Sequence, residues 1–98
     1  MIFRSIRKYI GKKSRYRDRD GSSFESAIVI NSTTHSKGVH SEYEYISHIF
    51  GQRNVDWTFE RQSLMDKFDK KYDVLDIRLS NGEKKSIYFD ISRFFGKF

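Results

Sequence analysis

"YDVLDIRLSNGEKKSIYFDIS", Tyr72 to Ser92, decides the fold. Two runs rich in β-branched and aromatic residues flank a polar turn around Asn81-Gly82, the pattern of a β-hairpin. The length of the loop matters more than its existence. A two-residue Asn81-Gly82 loop would pair Leu75 with Tyr88 and Val74 with Phe89. Leu75, Ile77 and Leu79 would then face away from Ile87, Phe89 and Ile91. A three-residue Ser80-Asn81-Gly82 loop puts both apolar sets on one face, because side chains alternate along a strand. The sequence therefore predicts the three-residue loop, with Gly82 left-handed as a G1 bulge. A slip of one residue would expose one of the two sets, so burial selects the register.

The segments before the hairpin follow from their periodicities. "VDWTFERQ" (Val55–Gln62) alternates Val55, Trp57 and Phe59 against Asp56, Thr58 and Glu60, a half-buried strand. "KFDKK" (Lys67–Lys71) reads as a charged connection to the hairpin. In "VHSEYEYISHIF" (Val39–Phe50), Val39, Tyr43, Ile46 and Phe50 recur at helical spacing and form one stripe. Gly51 stands where a C-cap glycine is expected. "FESAIVINS" (Phe24–Ser32) is apolar without a break from Ala27 to Ile30, as in a strand buried on both faces.

The order is β-α-β-β-β after a basic N-terminal tail. The expected fold is α+β, a small two-layer sandwich with one helix on a mainly antiparallel sheet. Its inner face would hold Trp57, Phe59, Leu75, Ile77, Leu79, Ile87, Phe89 and Ile91. The chain of 98 residues allows one domain. The polar "RDRDGSS" (Arg17–Ser23) places the boundary, with residues 1–23 as a disordered or helical tail and 24–98 as the domain.

Composition narrows the functions. Aromatics make up 16% of the chain, enough large apolar groups for a small core. No cysteine is present, which excludes a disulfide framework, a thiolate metal site and a cysteine nucleophile. That fits a reducing compartment, and a cytoplasmic location is expected. No apolar stretch reaches the roughly 18 residues of a membrane span. The N-terminus lacks the apolar block of a secretory signal.

The net charge of +6 is uneven. Arg4, Arg7, Lys8, Lys12, Lys13, Arg15, Arg17 and Arg19 face only Asp18 and Asp20 in the first twenty residues; the rest of the chain carries 11 basic and 11 acidic groups. The charge therefore belongs to the tail and not to the body. Four readings of the tail follow. It is a solvated extension or a helix that packs on the body through Ile2, Ile6 and Ile10. It is an arm that neutralises phosphates, with Tyr9 and Tyr16 available for stacking. It is a membrane-surface or targeting helix. Or it meets an acidic protein.

Four constellations in the body are candidates for chemistry or binding. His40, Glu44 and His48 are spaced by four, within reach of one another on a helix, and are legitimate metal ligands. They lie off the apolar stripe, so a solvated polar face is expected and no metal or other cofactor is implied. Asp76 followed by Glu83-Lys84-Lys85 loosely matches the acidic-residue and lysine spacing of metal-dependent nucleases. The three-residue loop opposes that reading, because Asp76 then points outward while Glu83 and Lys85 take inner-face parity. The outer face of the hairpin, with Tyr72, Arg78 and Tyr88 beside Val74, Asp76 and Asp90, suits a protein interface or ordinary cross-strand pairing. Phe94, Phe95 and Phe98 either pack on the core or form an apolar patch.

No phosphate-binding glycine loop or serine nucleophile motif is present. The expectation is a non-enzymatic binding module acting through protein contacts. The second candidate is a nucleic-acid-binding protein that uses its basic arm.

Overall fold

A computed structural model describes residues 19–96. The tail residues Arg4, Arg7, Lys8, Lys12, Lys13, Arg15 and Arg17, and Phe98 at the other end, lie outside the described residues. Within them the chain forms β1 (Ile28–Val29), α1 (His35–Phe50), β2 (Trp57–Lys67), β3 (Lys70–Leu79) and β4 (Lys84–Asp90). The sheet order is β1-β4-β3-β2. The β2–β3 and β3–β4 pairs are antiparallel, and β1 joins β4 in parallel. The fold is the expected α+β arrangement, with α1 packed on one face of a mainly antiparallel sheet.

The decisive hairpin has the three-residue loop. Leu75 pairs with Ile87 and Asp76 with Ser86. Across the loop, the Leu79 amide donates to the Glu83 carbonyl and the Gly82 amide to the Leu79 carbonyl, each at 2.8 Å. Gly82 has φ +92°. Leu75, Ile77, Ile87, Phe89 and Ile91 consequently share one buried face with Trp57, Ile46 and Phe94.

Three elements differ from their sequence reading. β2 continues to Lys67, so "KFDKK" is not a connection but a two-residue turn in which Lys67 pairs with Lys70. Phe68 and Asp69 have φ of 55° and 59°, both left-handed as a type I′ turn requires. The turn lacks the usual Asn-Gly signal, which is why the sequence does not announce it. β1 is only two residues long and forms an edge, with Val29 exposed, so the apolar run is not buried on both faces. α1 starts at His35, four residues before the apolar stripe, because Thr34 caps it by accepting the Lys37 N–H at 3.4 Å.

The buried line of α1 is also displaced. It runs through Gly38, Glu42 and Ile46, while Tyr43 and Phe50 of the predicted stripe are half-buried. Phe94 explains part of this. Its ring lies on the helix backbone at Gly38, where any side chain would collide with it. The helix end is tied to β2 by a compact corner. Gly51 donates its N–H to the Ser47 carbonyl at 2.9 Å, and its own carbonyl accepts the Trp57 indole N–H at 2.9 Å. Trp57 is thereby buried without an unmet donor, as its place in the predicted core demands.

The segment before Phe24 also belongs to the folded body. The Gly21 carbonyl accepts the Tyr88 N–H at 2.8 Å, on the side of β4 that faces β1. Phe24 then packs edge-on against Tyr72 and Tyr88, at centroid distances of 5.0 and 4.9 Å.

Candidate functional site

His40 and Glu44 form an exposed pair at 3.2 Å on the solvent side of α1. Among the described residues no three His, Cys, Asp or Glu side chains come together as a metal site. Asp76 accepts from Arg61 at 3.2 Å and from the Ser86 hydroxyl at 2.6 Å. Glu83 and Lys85 pair with each other at 3.1 Å beside the turn. These groups do not converge, as the register implies.

The hairpin's outer face is engaged by the protein's own residues. Tyr72, expected to be exposed, is only 4% accessible because Phe24 covers it. Tyr88 is half-buried under the same ring. Arg78 is held by Glu60 at 2.8 Å. The three expected interface residues are therefore drawn into intramolecular contacts. The covering segment lies about fifty residues away along the chain, a contact that strand alternation does not reveal. Phe94 packs in the core, whereas Phe95 is exposed beside the Lys71 ammonium at 4.9 Å.

Exposed apolar surface gathers instead at the free end of the β2–β3 hairpin. Leu64 points to the helix side of the sheet yet is 55% exposed, so α1 does not reach it. Met65 is exposed on the opposite face, and Phe68 at the tip is 64% exposed. Lys67 reaches over the Phe24 and Phe68 rings at 4.8 and 5.3 Å. β2 is also an edge strand of 11 residues, and no described segment pairs along its outer side beyond Trp57. A bulge between Phe59 and Arg61 interrupts it, a feature that protects edges from unspecific pairing. Sequence reading missed this surface because it ended β2 at Gln62.

The second unexpected feature is buried. Glu42 and Asp73 lie between α1 and the sheet, 1% and 2% accessible. Gln62 donates from Nε2 to Asp73 Oδ1 at 2.8 Å. Burial first, and then Asp73 beside it, push the Glu42 carboxyl up from 4.5 to about 10. The sequence carried a partial signal. Asp73 has the same parity as Leu75 and Ile77, and Glu42 is spaced four residues from Ile46.

Comparisons with protein-family models, with curated proteins and with solved structures each find no match.

Proposed function

We propose that this protein is a non-enzymatic binding module that docks a partner protein at the free end of its β2–β3 hairpin. The observation that carries this reading is Phe68. An aromatic residue in a left-handed turn costs about 1–2 kcal/mol, and here it stands 64% exposed. The Lys67 ammonium over its ring at 5.3 Å offsets only part of that cost, about 0.5–1 kcal/mol at an exposed site. Leu64 on the helix side and Met65 on the opposite face flank the edge strand, where an extended segment of a partner would find unpaired backbone groups with an apolar side chain on either face. Lys67 and Asp66 supply the polar rim that such surfaces carry. A cysteine-free chain suits the cytoplasm, where we place this activity.

Capture from the native host with nuclease-treated extract tests the proposal. The full chain should retain a protein partner, and Leu64→Gln with Phe68→Asn should lose it. Both positions are exposed, so thermal unfolding of the variant should stay cooperative. Phe68→Asn alone should raise stability by up to about 1–2 kcal/mol, since asparagine tolerates positive φ, while weakening capture. Capture unaffected by both substitutions would reject this surface.

A second reading has its own support. Residues 1–18 carry seven basic groups against Asp18, while residues 19–98 balance at twelve of each sign. Such a segment suits phosphate neutralisation. Capture that nuclease abolishes would favour it.

A further inference from the structure

Glu42 projects from the middle of α1 into the interface with the sheet. Neither of its carboxyl oxygens accepts a hydrogen bond from a described group. A buried carboxylate without a donor is among the costliest groups a fold can hold. Asp73 compounds the problem, because it would place a second negative charge against the first. Its Oδ1 is satisfied by Gln62, but two ionised carboxylates offer each other only acceptors. One proton resolves both difficulties. It removes a charge and turns an acceptor into a donor.

We infer that Glu42 keeps a proton where it faces Asp73 across the interface between α1 and the sheet, and that its loss loosens the helix from the sheet. Among the described residues, the Lys71 ammonium, two positions along β3 on the same face as Asp73, is engaged by Asp66. Asp73 is the charged group that acts on Glu42. β2 presents the neutral Gln62 to the pair, and β4 sets Phe89 opposite Asp73. On α1 the residues one turn away are Gly38 and Ile46, with the Phe94 ring against Gly38 and His35 at the edge of that ring. The pair thus acts as a proton-dependent latch.

The direction of the pH effect follows from proton counting. The Glu42 carboxyl is raised on folding, from 4.5 to about 10, so the native state keeps a proton that the unfolded chain releases. Stability contributed by the latch is therefore full at acid pH and is lost as pH rises through that window. For one proton the folding constant falls about tenfold per pH unit.

Urea unfolding of the full chain between pH 5 and 9 tests this, with wild type, Glu42→Gln and Asp73→Asn measured together. Glutamine keeps a permanent donor toward Asp73 without a charge. The wild type should lose about tenfold in folding constant per pH unit relative to Glu42→Gln. The variant should be the more stable of the two at pH 8. Parallel pH profiles for wild type and Glu42→Gln would overturn the proton held on Glu42. Should Glu42→Gln fail to fold, Asp73→Asn decides the matter. Burial still holds the Glu42 proton in that variant, so its profile should fall with the same slope but level off at a lower pH than the wild type's, and levelling off at no lower pH would reject the latch. Stabilisation of the wild type by millimolar magnesium that Glu42→Gln abolishes would assign the pair to a cation and also overturn it.

Discussion

A glycine inside a helix costs about 1 kcal/mol relative to alanine, and Gly38 stands near the start of α1. Exposed, it would be a site to improve. Here the Phe94 ring occupies the space of the missing side chain. Gly38→Ala should therefore destabilise the protein, by about 1–3 kcal/mol of overpacking, despite its better helix propensity. Denaturant unfolding would show this as a lower midpoint, and a raised midpoint would mean that Phe94 gives way easily. Glu42 makes the opposite trade at the same interface. At pH 7 its retained proton costs roughly 3 kcal/mol, taking about 1.36 kcal/mol per pH unit above the ordinary carboxyl value. A small domain has only about 5–15 kcal/mol in total. A leucine of similar reach would avoid that cost, which makes the carboxyl pair an unusual choice for a purely structural position.

At the scale of elements, the two hairpins obey different rules. β3–β4 has the chemistry its turn demands. Gly82 sits at φ +92° with open space around it, so only the backbone limits what can replace it. Gly82→Val should cost at least about 1–2 kcal/mol, because a β-branched residue resists positive φ. A thermal scan showing no loss would mean that the loop changes type, and with it the pairing of Leu75 with Ile87. β2–β3 turns instead through Phe68 and Asp69, neither of them glycine, at the same sign of φ. Its strands hold the turn shut through long antiparallel pairing, with Arg61 on Asp76 and Lys71 on Asp66 as cross-strand ion pairs. Exposed pairs of this kind contribute little individually. The register comes from the inner face and the backbone ladder, and the turn residues are carried along.

For the whole molecule, the excess charge falls on residues outside the described ones. Deleting residues 1–18 removes seven basic groups and Asp18, leaving a body of net charge zero. The contacts of Gly21 and Phe24 are untouched, so the truncated protein should unfold with a similar midpoint. If the arm binds nucleic acid, full-length affinity should fall with salt by about 0.7–0.9 log units per log unit for each phosphate neutralised. The truncated protein should then lose binding altogether. Truncated protein that still binds would place the contact on the sheet. The described residues include no helix long and apolar enough to cross a membrane.

The order of elements, the face of the final hairpin and the burial of Trp57 were legible in the sequence, because each rests on local periodicity plus one global demand. Apolar sets must meet, and only one register lets Leu75, Ile77, Ile87 and Phe89 do so. What tertiary structure decided were contacts between segments far apart in the chain. Phe24 covers Tyr72 and Tyr88, which alternation assigns to solvent. Phe94 lies on Gly38 and shifts the buried line of α1 toward Glu42. Asp73 shares the inner parity of Leu75 and Ile77, but its partner in α1 becomes evident only once helix and sheet are docked. Periodicity reports which face of an element is turned inward. It carries no information about which distant residue arrives there, and that arrival decides whether an inward carboxyl is an error or a latch.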